Sequence, residues 1–354
     1  MIKKLIVIAS LFFSITSWSQ DNTASPYSYY GLGEIKFRGT EDARSMGSIG
    51  IVADSIHFNL LNPASYSKLK FSTFAIGSTS TFSNFETNTN NEKAQRTILN
   101  YLAIAIPLKR FGTAIGLMPY SAVGYKIESN YLNTSDNTLR NKKALGNGNI
   151  NQLFIGSSYA INKNFSVGVN INYNFGEIET DFIETIYSPI QLQLSSRERN
   201  NSNITGFSLN SGIYYSKKIS SKLRLNSSFV YSPEATLTSV NSRNIATVFY
   251  TLNGSEIIST PTQDIDVENQ KMKIPSKYTL ASGIGQDKKW FLGAEISHQE
   301  NSKLKNRFKD IQNAAFENAT KIAIGGYYIP DYDSFSSYFS RIIYRAGFRY
   351  ENTG

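Results

Sequence analysis

The stretch Phe165-Ser166-Val167-Gly168-Val169-Asn170-Ile171-Asn172-Tyr173-Asn174-Phe175 decides the fold class of this chain. Every second residue, from Phe165 to Phe175, is apolar, and those between are small or polar. A period of two is the signature of a strand with one greasy and one wet face. The run is longer than the usual strand of about 5–6 residues and matches the roughly 9–11 residues with which a strand crosses a bilayer. The pattern recurs at Leu223 to Tyr231, with Arg224 and Asn226 on the polar face, and at Trp290 to His298, where Trp290, Leu292, Ala294 and Ile296 oppose Glu295 and Ser297. It is sharpest at the end, with Ile342, Tyr344, Ala346, Phe348 and Tyr350 on one face and Arg341, Arg345 and Arg349 on the other. A buried core cannot hold three arginines, so this face meets water on the outside of a sandwich or in the lumen of a barrel.

Eleven strands are expected, at about 69–82, 99–108, 112–128, 149–161, 165–179, 203–217, 222–236, 271–284, 289–300, 320–329 and 341–350. Their connections decide between sandwich and barrel. Lys109 to Gly112, Asn162 to Asn164, Lys218 to Ser221 and Gly285 to Lys288 are short, whereas 83–98, 129–148, 180–202, 237–270 and 301–319 are long and polar. Short turns on one rim and long loops on the other are expected of a transmembrane barrel, and a sandwich has no reason to keep that parity. The expected fold is therefore all-β, a transmembrane antiparallel β-barrel.

Composition agrees and narrows function. The 354 residues include 22 Tyr, 22 Phe and 24 Gly, a β-rich mixture of aromatic strands and turns. The absence of Cys excludes disulfides and thiol chemistry, and two histidines, His57 and His298, leave little for zinc or Ser/His catalysis. His298 lies on the apolar face of its strand, but Glu300 stands where a Ser would share that face. The chain reads as a non-enzyme without cofactor or metal. Its net charge of +9 is spread along the sequence, not gathered into a basic patch, so nucleic acid is not an expected partner.

The first 20 residues read as a signal peptide: Lys3 and Lys4, an apolar run from Leu5 to Ile15, then Ser17-Trp18-Ser19. Residues 21–68 do not alternate. They carry Gly31-Leu32-Gly33, Arg44-Ser45-Met46-Gly47 and Asn59-Leu60-Leu61-Asn62-Pro63-Ala64-Ser65. Their mix of small, apolar and turn residues suggests a hatch folded inside the barrel, the other reading being a periplasmic tail. Residues 69–354 form the barrel.

The order of signal peptide, glycine-rich segment, Asn62-Pro63-Ala64 and long-stranded barrel resembles the outer-membrane long-chain fatty acid and hydrophobic-compound (toluene) transporter family, in the flavour of its Bacteroidetes branch. Pro275 with Tyr278 to Gly283, Trp290 to Glu295 and Ile342 to Tyr350 are similar to the second half of that barrel. The resemblance implies 14 strands around an N-terminal hatch, in the outer membrane of a Gram-negative cell. With about 11 strands visible, the barrel is expected to be C-terminally incomplete. It further implies passive uptake of hydrophobic small molecules such as long-chain fatty acids, with lateral release through the wall. The alternative is a barrel that serves protein secretion as scaffold or accessory. Expected partners are the lipid bilayer, a hydrophobic ligand and the barrel-assembly machinery that inserts it; the expected state is a monomer.

Site residues follow from the same reading. Pro119, between Gly116 and Gly124, argues for a bulge or kink in the third strand, because proline cannot donate to the ladder and glycine weakens it; in the resembled family such a kink makes the lateral opening. Asn62, Pro63 and Ala64 either gate the path or form the turn into the first strand. Phe182, Ile186, Tyr187, Phe249 and Tyr250 punctuate long loops and are candidates for ligand capture, or pack those loops together. Arg341, Arg345 and Arg349 should face the lumen and pair with a fatty carboxylate or with hatch acids such as Glu34, Glu41, Asp42 or Asp54.

Overall fold

The computed structural model describes residues 23, 25–86, 91–187, 194–251, 256–309 and 315–353. The expected signal peptide lies outside them. The chain forms β1 (Glu34–Ile35), β2 (Thr73–Glu86), β3 (Asn91–Leu108), β4 (Phe111–Asn133), β5 (Thr138–Ala160), β6 (Phe165–Ile186), β7 (Ser195–Lys218) and β8 (Leu223–Ser232). There follow β9 (Ala235–Tyr250), β10 (Glu256–Ile258), β11 (Gln263–Ile265), β12 (Gln270–Ile274), β13 (Lys277–Gln286), β14 (Trp290–Gln299), β15 (Ala319–Tyr328) and β16 (Tyr344–Asn352). All belong to one antiparallel sheet whose main path runs β16-β15-β14-β13-β8-β7-β6-β5-β4-β3-β2. β9 continues β8 beyond Pro233, and β12 leads into β13 across Pro275, so the wall has the eleven staves expected. β2 and β16 end the path, and neither outer edge has a ladder partner among the described residues.

The wall is inside out relative to a water-soluble protein. On β14, Leu292 and Ile296 are 55% and 48% exposed while Glu295 and Ser297, on the other face, are 5% exposed. Phe74, Ile104, Ile155, Ile171, Phe207, Leu280, Ile324 and Phe348 are likewise exposed, and Gln152, Asn170, Asn172, Asn174 and Ser228 are buried. Each half-exposed Leu, Ile or Phe forfeits roughly 1 kcal/mol in water, a loss that a hydrocarbon solvent removes. Only a sheet whose backbone groups are paired within the ladder tolerates that solvent. Strands β13, β14 and β15 have ten residues each, about 33 Å at the usual rise and just enough to span it.

The long-loop end differs from expectation. β4, β5, β6 and β7 have 23, 23, 22 and 24 residues, so the segments 129–148 and 180–202 are mostly strand, as are 83–98 and the first part of 237–270. These strands continue about 40 Å past the height of β13. Beyond the bilayer no solvent demands an apolar stripe, so alternation fades while the ladder persists. Phe182 and Ile186 therefore sit in β6 and Phe249 and Tyr250 in β9, with Tyr187 following β6, a correction to their placement in loops. Arg341 is a second correction. It ends a helical turn, Tyr338–Arg341, with its guanidinium over the Tyr338 ring, because the strand starts only at Tyr344.

Candidate functional site

Residues from Thr23 to Lys68 pack against the polar face of the wall. Asn62 accepts from Ala64 N through Oδ1 at 2.9 Å, capping the 3-10 turn Pro63–Lys68, and donates through Nδ2 to Ile213 O on β7 at 3.2 Å. Ala64 O accepts from Ser166 Oγ on β6 at 2.8 Å. Gly168 makes room for this turn, since a Cβ there would lie 2.5 Å from the Pro63 carbonyl carbon. Asn62, Pro63 and Ala64 are thus brought together as a buried anchor near the short-turn rim.

A second anchor is Glu295. Its Oε2 accepts from Gly50 N at 2.7 Å, and its Oε1 from Lys321 Nζ at 2.6 Å; Lys321 also donates to Ser48 O at 3.0 Å. A third joins the two ends of the sheet. In the helical turn Glu41–Ser45, Asp42 pairs with Arg345 of β16 at 2.8 Å and Arg44 donates to Thr79 of β2 at 3.3 Å. Arg349 Nη1 donates to Ser48 Oγ at 3.3 Å. Arg345 and Arg349 therefore meet this N-terminal segment, the expected hatch.

The wall is interrupted on one side of β4. Pairing of β3 with β4 stops at Leu102↔Leu117, although β3 stays paired with β2 to Asn91 and β4 with β5 to Asn133. Met118 and Pro119 follow the last pair, and the register with β5 skips Tyr120, whose buried ring turns inward. Pro119 has no N–H to offer a neighbour, which makes it the natural place for the strand to leave its ladder. In place of β3, hatch strand β1 pairs with β4 at Glu34↔Ala122 and Ile35↔Ser121, and Lys36 N donates to Tyr120 O at 2.9 Å. Gly124 N donates to Ser28 Oγ at 3.1 Å, and the Thr23 carbonyl occupies the space of its missing Cβ. Gly116 lies below the break against Phe154 and Ala103. A cavity of about 180 Å³ fills the mouth, lined by Ile98, Leu99, Leu117, Met118 and Pro119 on the apolar side and Lys36, Asn149 and Asn151 on the polar side.

Above this level the inner face turns apolar. Tyr120, Val123, Ile150, Ile178, Ile204, Leu237 and Met272 form one buried cluster with Leu32 of the hatch. The segment between β14 and β15 closes over it. Arg307, 2% exposed, donates to Gly31 O at 2.6 Å and Tyr29 O at 3.4 Å, and Asn306 Oδ1 accepts from Gly31 N at 3.0 Å. Arg307 Nε and the nearby Tyr125 hydroxyl are buried without a hydrogen-bond partner among the described residues. No periodicity marks this segment, so sequence reasoning missed Arg307; the Glu295 anchor was visible only as an acid on a polar face. Residues expected to capture ligand are not brought together. Phe182 meets Tyr29 edge to face at 5.9 Å, Tyr250 donates to Glu256 at 3.2 Å, Phe249 pairs with Ile257, and Ile186 and Tyr187 stay exposed.

Comparison with known proteins agrees with this architecture. The toluene transporter TodX of Pseudomonas putida superposes with a TM-score of 0.56 at 14% identity, over 92% of this chain and 85% of that one. A Pseudomonas aeruginosa FadL homologue gives 0.52 at 13% over 92% and 81%, and the CymD monoaromatic hydrocarbon channel 0.50 at 12% over 94% and 86%. The fold is thus that of outer-membrane hydrophobic-compound channels. No curated protein sequence matches the chain. The BamG family matches over residues 1–354, and the chain belongs to that family.

Proposed function

We propose that the barrel admits hydrophobic small molecules, such as long-chain fatty acids, across the outer membrane by passive diffusion, releasing them sideways between β3 and β4. The observation that carries this reading is the interrupted ladder above Leu102↔Leu117 with its cavity of about 180 Å³, apolar toward the wall and polar toward the hatch. A greasy solute gains nothing from a water-filled pore, and a gap in the wall offers it the bilayer directly. The apolar cluster above the gap, with Arg307 and the Tyr125 hydroxyl at its margin, supplies the upper part of the route and a seat for a carboxylate. The channels that share the fold are named for toluene and monoaromatic hydrocarbons, which supports the solute class. The chain works as a monomer placed by the barrel-assembly machinery, and no chemistry on the solute is involved. Uptake of a fluorescent fatty acid into proteoliposomes, with and without the protein, tests the reading; equal rates would refute it.

A second reading, a scaffold or accessory in protein secretion, draws on the long extensions of β4 to β7, which exceed what a pore requires. Copurification of a stoichiometric protein partner from native membranes, without bound lipid, would favour it.

A further inference from the structure

The wall has a second interruption, on β7. β7 pairs with β9 up to Thr205↔Thr238 and with β8 from Ser211↔Tyr231, so residues 206–210 lack a ladder partner on that side. At the same height the neighbouring ribbon bends, at Pro233 between β8 and β9 and at Pro275 between β12 and β13. A small cavity of about 10 Å³ sits there, lined among others by Ser208, Leu209, Asn210, Pro233, Arg38 and Lys277.

The charges in this place do not balance. Arg38 lies over the Tyr120 ring at 5.1 Å, and neither it nor Lys277 has a carboxylate within ion-pair distance among the described residues. The acids that act on Lys277 are engaged elsewhere, Glu295 with Lys321 at 2.6 Å and Glu351 with Arg349 at 3.9 Å. Two half-buried cations lining one water-sized space, with no carboxylate beside them among the described residues, call for an anion. The space suits one oxygen of an oxyanion rather than a whole group. Outside, Leu209 at 39%, Phe229 at 39% and Leu280 at 58% exposure offer an apolar surface, and Tyr231 and Tyr278 stack at 4.9 Å immediately beside Ser232↔Lys277. Stacked tyrosines on the outer face are the mark of the headgroup level of a bilayer.

We propose that Arg38 and Lys277 form a seat for a phosphate oxyanion carried by an anionic membrane lipid, whose headgroup reaches in through the unpaired stretch of β7 while its chains lie on Leu209, Phe229 and Leu280. The seat is lined on its inner side by Tyr120, next to Pro119 of the β3–β4 mouth, but its opening to the membrane lies at β7, and its binding of lipid does not depend on transport. It accounts for the two prolines, the missing ladder and the unbalanced cations together.

The test is native mass spectrometry of the full chain released from neutral detergent micelles doped with phosphatidylglycerol, phosphatidylcholine or inorganic phosphate. The expected result is retention of phosphatidylglycerol roughly tenfold above phosphatidylcholine, as two basic side chains at a membrane surface imply. Arg38→Gln with Lys277→Gln should bring the two lipids to parity, while Arg224→Gln, at the opposite rim, should change nothing. Retention of inorganic phosphate but not of phosphatidylglycerol would overturn the lipid source and leave a free-anion site. Equal retention of the two lipids by the unmodified chain, with no phosphate bound, would overturn the seat itself, without reliance on any variant.

Discussion

Strands β4 and β14 sit in the same sheet and differ in how completely they are paired. β14 is paired along its whole length on both sides, from Trp290 to Gln299, with β13 and with β15. β4 is paired throughout with β5 but leaves β3 after Leu117. Each backbone group left unpaired toward lipid costs several kcal/mol, which favours a second partner for the free side of β4. The hatch supplies one, adding β1 at Ala122 and Ser121. The comparison shows a ladder that ends beside a proline, with a strand from the N-terminal segment covering part of the free edge.

The comparison can be broken most strongly by closing the mouth covalently. The chain has no cysteine, so Ile98→Cys with Met118→Cys gives a pair on the lining of the cavity that a cleavable bis-thiol crosslinker can join. Its crosslinking should lower solute uptake at least about tenfold, a rise of roughly 1.4 kcal/mol in the barrier that reductant reverses. The matching pair Ala294→Cys with Ile324→Cys, opposite each other in the closed wall, should leave uptake unchanged under the same treatment. A smaller effect, on stability, is expected on the closed side. Glu295→Ala leaves Lys321 and Gly50 N without their buried acceptor and should cost about 3 kcal/mol, read as a lowered denaturant midpoint with the hatch released to proteolysis.

Pro119→Val restores a donor at the break and should lower uptake a few-fold, with the unfolding midpoint unchanged or raised. The smallest effect concerns the hatch edge. His57 is held protonated above its ordinary range by its hydrogen bond to Asp54, 2.5 Å away, against the opposing effect of burial. A raised folded-state value means that this contact stabilises fully below the unfolded value near 6.5 and fades as pH rises through the folded one. Amide exchange of residues 54–58 should therefore quicken on the alkaline side, and an exchange rate independent of pH after base-catalysis correction would remove the contact from the account.

Much of this was legible before any coordinates. All eleven staves were visible because lipid enforces an apolar stripe, residue by residue, as from Phe165 to Phe175. The break at Pro119 was legible because proline and glycine act locally. The strand ends at the long-loop rim were not, since β6 from Thr180 to Ile186 carries no apolar stripe, burying Thr180 and Asp181 as well as Ile183, and its pairing is recorded in backbone hydrogen bonds that side-chain pattern does not report. Arg307 was illegible for a different reason. Its role depends on a contact with Gly31, 276 residues away, and no spacing rule reaches that far.

The central claim is that hydrophobic solute leaves through the mouth between β3 and β4. Its most direct test is photolabelling of the protein in lipid nanodiscs with a diazirine-bearing fatty acid, followed by peptide mapping. The account predicts adducts concentrated on Leu99, Leu117, Met118 and Pro119, well above those on Leu292 and Ile324, which are more exposed on the outer face. Adducts spread evenly around the wall would contradict it.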